Sequence, residues 1–259
     1  MSNLEARLDD LLRLAERGQV AVSDFLSPAD CRRADAFLAR AGISFAAFGG
    51  YDDAERQRIY LLPSYMESDE DESLSQLLGQ YGHSDGIALL LVRGSGYVTL
   101  SHRSYLGSLL GLGLERDVIG DIVVLDESGR EAVIFCDEQI VPFLLLEWKK
   151  VGNDTVKVTK TSLSEIVLPP RRTAPISDTV ASPRLDAVVA ALCNLSRERA
   201  RTMVSDGCVE VDFRTEERPD FLLNAPCMLS VRGYGRYRVT SVSEQTKKGR
   251  IRLLGEKFL

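Results

Sequence analysis

The stretch DIVVLDESGREAVIFC, residues 121–136, holds two apolar runs on either side of the turn-forming residues ESGR. β-Branched residues crowd a helix but pack well on a pleated sheet, so the pattern predicts two antiparallel strands joined by a tight turn. Upstream, HRSYLGSLLGLG (102–113) has helical spacing with Ser101 placed to cap it, and GIALLLV (86–92) reads as a buried strand. Downstream, EQIVPFLLLEWKK (138–150) reads as a helix, with Pro142 in its first two turns, where a missing amide proton is tolerated. DTVKVTK (154–160) then reads as a strand, its Val156 and Val158 alternating with lysine. The order is β-α-β-β-α-β, the split βαβ or ferredoxin-like arrangement. Many activities share that arrangement, and the aromatic-rich strands that stack bases in RNA-recognition domains are absent, since EAVIFC offers only Phe135.

The flanking sequence predicts two further units. Leu4, Leu8, Leu11, Leu12 and Ala15 fall on one helical stripe that ends near Gly18. A second helix is expected from Ser27 as N-cap and Pro28 at its first position, with Ala34, Phe37, Leu38 and Ala41 buried and Gly42 stopping it. ISFAAF (43–48) and RIYLL (58–62) read as strands, and ESDEDES (67–73) as a solvated acidic loop. LPPRRTAPISDTVASP (168–183) holds four of the nine prolines and reads as a semi-rigid linker. Beyond it, Leu185, Val188, Val189 and Leu192 form one helix face, and Ser196 caps a second helix buried through Ala200, Met203 and Val204. Gly207 ends that helix, and CVEVDF (208–213) alternates as a half-buried strand. The expected class is α+β in three small units: an N-terminal domain (1–80), a ferredoxin-like domain (81–167) and, after a linker (168–181), a C-terminal domain (182–259).

Composition excludes several classes of function. The five cysteines are spread with no CxxC pair and no histidine cluster, which argues against a disulfide framework or a zinc site and for a reducing cytoplasm. Charged residues interrupt the first 17 positions, so no signal peptide is expected, and no apolar run reaches the roughly 20 residues of a membrane span. RGSGYV (93–98) has neither the third glycine nor the following helix of a dinucleotide site, and there is no GxxxxGK[ST] phosphate loop. Only His83 and His102 are available, neither near a nucleophile motif, so no catalytic residue, metal or cofactor is expected.

The net charge of -6 hides an asymmetry: residues 171–259 carry 16 Lys+Arg against 11 Asp+Glu, and residues 1–170 carry 16 against 27. If Ala200, Met203 and Val204 face inward, Arg197 and Arg201 share the outer side of their helix, one turn and about 6 Å apart, with Arg199 beside them. That spacing matches neighbouring phosphates, and the helix start at Ser196 adds amide donors. The plain alternative is a solvated face screened by Glu198. VRGYGRYRV (231–239) interleaves Arg232, Arg236 and Arg238 with tyrosines, and TKKGRIR (246–252) adds Lys247, Lys248, Arg250 and Arg252. Both segments fit strands or hairpin ends lying beside the arginine helix, so one continuous positive surface for a polyanion is expected.

RLD (184–186), SRERA (196–200), DGCVEV (206–211) and the basic Gly-rich tail resemble the alpha-L RNA-binding motif of the S-four domain. Over nearly the whole chain, FGGYDDAERQR (48–58), LSHRSYLGSLLGLGLERDVIGDI (100–122) and VRGYGRYRV…TKKGRIRL are similar to three signature blocks of bacterial YlmH-type proteins. The resemblance implies a cytoplasmic, monomeric, non-enzymatic protein on the large ribosomal subunit. It would touch ribosomal RNA and tRNA, act in rescue of stalled translation, and have a gene that neighbours cell-division genes. It also implies that the middle domain is a second RNA-binding unit in which His102, Arg103 and Arg116 are contacts, alongside Arg184, Ser196 and the C-terminal cations. Plainer readings accompany them: His102 as a local hydrogen-bonding residue of its helix, Arg116 as a loop surface charge, and Arg56 and Arg58 as partners of their own acidic loop. The sequence departs from the alpha-L pattern at DFRTEE (212–217), where a turn rich in Asn and Gly is usual. Rival readings are an RNA-modifying enzyme of pseudouridine-synthase type, or an adaptor with an acidic recruiting half.

Overall fold

A computed structural model describes residues 3–41, 45–66, 72–245 and 249–258, and the chain divides into two compact units, 1–169 and 170–259. The class is mixed α and β. In the first unit, α1 (Asn3–Glu16), β1 (Ala21–Val22), α2 (Pro28–Ala41), β2 (Phe45–Phe48), β3 (Arg58–Leu61) and α3 (Leu74–Gln80) build an N-terminal layer. Its sheet has the order β1-β3-β2, antiparallel throughout. The leucine stripe of α1 packs with Ala34 and Leu38 of α2 against Ile59 and Leu61, the burial that its period of 3.6 requires. Ala41, the last residue of α2, is exposed rather than buried, and Gly42, expected to stop the helix, lies outside the described residues. Most of the acidic run, residues 67–71, lies outside the described residues, but its last member, Ser73, caps α3 through a reciprocal box with Gln76.

The ferredoxin-like layer follows as β4 (Ile87–Gly94), α4 (His102–Gly111), β5 (Ile119–Val124), β6 (Glu131–Asp137), α5 (Val141–Glu147), β7 (Lys150–Val151) and β8 (Asp154–Thr161). Its strand order, β5-β6-β4-β8-β7, is antiparallel at every pairing. Leu90, Val92, Ile134 and Cys136 face α4 and α5, meeting Tyr105, Leu109, Leu144 and Trp148. Leu89, Leu91, Val133 and Phe135 face the other way, beneath Tyr51, Ile166 and Leu168. Burial on both faces explains why these strands are apolar without alternation. The second helix is shorter than its apolar run: a 3-10 turn occupies Glu138–Ile140, and the helix stops at Glu147, where Trp148 turns inward and donates Nε1–H to Ser108 Oγ at 2.7 Å.

The loop FGGYDDAERQR ties the two layers together. Gly50, at φ +99°, lies so close to the Phe135 ring that a Cβ would sit 2.5 Å away. Tyr51 stacks on that ring with centroids 4.7 Å apart. Asp121 on β5 accepts hydrogen bonds from Tyr51 Oη (2.8 Å), Glu55 N (2.7 Å) and Arg56 N (3.0 Å). Arg56 and Arg58 do not pair within their acidic loop. Arg56 donates to the carbonyls of Ile119, Phe25 and Arg116, while Arg58, buried, donates to Ser23 and Gly86 and pairs with Asp137 at 3.2 Å. A guanidinium has five donors in a rigid fork, and here they bridge carbonyls from separate segments of the two layers.

The second unit comprises β9 (Thr173–Val180), α6 (Leu185–Cys193), α7 (Arg197–Ser205), β10 (Val209–Val211), β11 (Arg214–Thr215), β12 (Cys227–Val231), β13 (Gly235–Gln245) and β14 (Ile251–Phe258). Its sheet has the order β11-β10-β12-β13-β14-β9. Residues 173–180 are therefore not linker: they pair with β14 from Thr173↔Phe258 to Val180↔Ile251. Proline composition suggested a linker, but Pro175 sits on an edge strand, where a missing N–H is tolerated. The strand expected over 208–213 stops at Val211. Asp212 (φ 51°) and Phe213 (φ 63°) are both left-handed and form a two-residue hairpin turn to Arg214, without the Gly such turns favour. Asp212 Oδ1 accepts from Met228 N at 2.8 Å, and that bond holds the strained turn on β12.

Asp121→Ala strands three donors at once and is expected to lower unfolding stability by about 2–3 kcal/mol, against about 1 kcal/mol for Tyr51→Phe. Urea unfolding of the full chain measures both.

Candidate nucleic-acid interface

The C-terminal arginine helix is phased by its core. Ala200 and Val204 are fully buried, which leaves Arg197, Arg199 and Arg201 exposed. Ser196 Oγ accepts from Arg199 N at 3.2 Å and starts the helix. Arg197 is not free: its Nη2 donates to Asp186 Oδ1 at 3.2 Å, and Arg184 grips the same carboxylate through Nε (3.1 Å) and Nη2 (3.0 Å). Asp186, on the first turn of α6, is only 3% exposed, whereas the arginine side chains are 37% and 51% exposed. Burial alone would raise the carboxyl pKa, but the hydrogen bonds from Arg184 and then Arg197 outweigh it and hold the group below its ordinary range. The three side chains together carry a net charge of +1 in a fixed geometry. Arg199 and Arg201 have no ion-pair partner among the described residues.

The remaining C-terminal candidates do not all join that helix. Leu229, Val231, Tyr237 and Val239 face α6 and α7, so strand alternation turns Arg236 and Arg238 to the opposite side of the sheet. There Arg236 lies 5.8 Å from the Phe213 ring and Arg238 lies 5.4 Å from the Phe258 ring. The single positive surface expected from the sequence is thus split between two layers, because the alternation that turns Tyr237 and Val239 inward turns Arg236 and Arg238 away from the helices. Arg232 is exposed at the β12–β13 turn and lines a groove of about 410 Å³ with Arg236, Ser230 and Glu210. Arg250 donates to the Thr179 carbonyl. Lys247 and Lys248 lie outside the described residues.

In the ferredoxin-like layer, Arg116 sits in a 3-10 turn and donates to the carbonyls of Ile119 (2.9 Å) and Gly120 (3.0 Å). Burial first, and the neighbouring Arg56 second, push its pKa down to about 10. Arg116 is thus a structural donor rather than the surface charge expected of its loop. The pKa of His102 is shifted down, by desolvation first and by the neighbouring Arg116 second. Arg103, in the first turn of α4, is exposed with no ion-pair partner among the described residues.

Two family models match the chain: "YlmH, N-terminal" over residues 3–66 and "Putative RNA-binding domain in YlmH" over residues 86–165. The "Ribosome-associated protein quality control protein P2" of Bacillus subtilis (strain 168) is 32% identical over 243 residues, covering 93% of this chain and 89% of that protein. The chain belongs to the YlmH family. Among solved structures, the "Cell division protein ylmH from Streptococcus pneumoniae" has a TM-score of 0.48 and 18% identity, covering 64% of this chain and 96% of that one.

The RNA-binding model of YlmH spans the whole ferredoxin-like layer, including His102, Arg103 and Arg116. Among the described residues no cluster of His, Cys, Asp and Glu could hold a metal ion, and no helix is long and apolar enough to cross a membrane. A search for cations alone passes over Asp186, although it closes the RLD stretch. Its signal was present, an acidic residue two positions after Arg184 inside an otherwise apolar helix face.

Asp186→Ala is expected to cost about 1–2 kcal/mol at pH 7, less than a fully buried pair because both arginines can turn to water. A depressed folded pKa stabilises above the unfolded value and is lost as pH falls through the folded one. The gap between wild type and variant should therefore close below about pH 4, read by denaturant unfolding across pH.

Proposed function

We propose that this YlmH-family chain is a non-enzymatic RNA-binding protein of the large ribosomal subunit. Its C-terminal unit would contact ribosomal RNA and tRNA during rescue of stalled translation. The observation that carries this reading is α7, which holds Arg199 and Arg201 exposed beside the Arg184–Asp186–Arg197 clamp. Arginines held in place lose little conformational entropy when they meet phosphate, and phosphate neutralisation supplies most nonspecific RNA affinity. The resemblance to an alpha-L motif and the name of the Bacillus subtilis relative point the same way. The chemistry needed is electrostatic: a positive surface stabilises bound RNA in one geometry, and no bond is made or broken. Of the ferredoxin-like candidates His102, Arg103 and Arg116, Arg103 is the one available for a phosphate contact, since Arg116 is occupied by carbonyls.

The test is co-sedimentation of the purified full chain with large ribosomal subunits over a salt series. The Arg199→Ala/Arg201→Ala double variant should bind more weakly, with a log–log salt slope shallower by about 0.7–0.9 for each lost phosphate contact. Equal binding and equal slope would falsify the reading.

A further inference from the structure

We infer that Tyr97 and Arg130 form a site for one unpaired RNA nucleotide, the base stacking on the tyrosine ring and an adjoining phosphate meeting the guanidinium. Tyr97 is 95% exposed, at the tip of the loop between β4 and α4. A single exposed aromatic is ordinary on a protein surface, and a mobile loop would let it fold down. This loop is anchored. Asp154, itself buried, accepts from Ser95 N at 3.0 Å through Oδ2 and from Ser95 Oγ through Oδ1, and Ser95 Oγ accepts from Tyr97 N at 3.2 Å. The β5–β6 turn is locked to the elements on either side of that loop: Gly94 N at the end of β4 donates to Arg130 O at 2.8 Å, and Tyr105 Oη of α4 donates to Gly129 O at 2.7 Å. Gly129, at φ +66°, approaches Leu100 so closely that a Cβ would fall 1.7 Å from its carbonyl oxygen.

The Arg130 side chain runs along Gly96, where a Cβ would lie 3.4 Å from its Cδ and 3.5 Å from its Nε. Its guanidinium has no carboxylate partner among the described residues. Asp126 of its turn is turned back onto Ser128 Oγ and Arg130 N, and the adjacent Glu131 pairs with Arg93. An exposed ring on an anchored backbone, beside a guanidinium with no carboxylate partner among the described residues, is the combination that holds single-stranded nucleic acid: any base offers a π face, and the cation takes the phosphate. The inference rests on the RNA-binding reading but uses a different surface from α7.

The experiment titrates the full chain into a fluorescein-labelled ten-nucleotide oligouridine. Tyr97→Ala should weaken binding about fivefold or more, Tyr97→Phe should leave it unchanged, and Arg130→Ala should weaken it and flatten the salt dependence. Thermal melts of all three should match wild type, since neither side chain packs in the core. Equal affinity of wild type and Tyr97→Ala overturns the inference, as does failure of wild type to bind the oligouridine. In either case the large-subunit assay with the α7 variant stands or falls separately.

Discussion

A carboxylate leaves water only when donors replace its hydration, and the architecture of this chain turns on four aspartates that meet that condition. Asp121 gathers a tyrosine hydroxyl and two amides of the FGGYDDAERQR loop, and Asp137 takes the buried Arg58. Asp154 holds Ser95, and Asp186 holds two arginines. Each ties segments that the hydrophobic effect alone, being non-directional, would leave loosely related. The apolar clusters supply cohesion, and the aspartates supply register between their parts.

This division of labour decides which cations can meet an external anion. Arg56, Arg58 and Arg116 spend their donors on backbone carbonyls or on Asp137, so the ferredoxin-like layer presents fewer available charges than its arginine content suggests. In the C-terminal unit, Arg184 and Arg197 are partly neutralised yet fixed in position, while Arg199 and Arg201 project outward. The strand arginines Arg236 and Arg238 lie over aromatic rings on the far side of the sheet. Counting positive residues therefore overstates the surface, and geometry separates those that anchor the protein from those that can recruit a partner.

Periodic features were legible in the sequence and long-range ones were not. The β-α-β-β-α-β order, the α1 stripe and the phase of α7 follow from spacing within a few residues, where the periods of 2 and 3.6 act. The turn at Asp212 and Phe213 escaped because no glycine marks it, and the bond that stabilises it comes from Met228. Strand β9 escaped because Pro175 and the prolines flanking the strand look like linker until β14, about 75 residues later, is placed beside it. The partners of Arg56 and Arg197 were hidden for the same reason: pairing across the fold leaves no local pattern. For the candidate site, the arginine helix and an acidic residue on the apolar face of α6 are both visible in the sequence, whereas the pairing of Asp186 with Arg197 is not.

The eight-residue ladder between β9 and β14 has a consequence for how the chain can be divided. Cutting after Val180 would remove a border strand and leave the backbone amides and carbonyls of Ile251–Phe258 unpaired along one side of the sheet. An open strand edge of that length is a template for pairing with another molecule, so such a fragment would be sticky rather than merely shortened. The peptide that reads as a tether is the strand that closes the β14 side of the C-terminal sheet, and its Pro175 blunts the border it forms in turn.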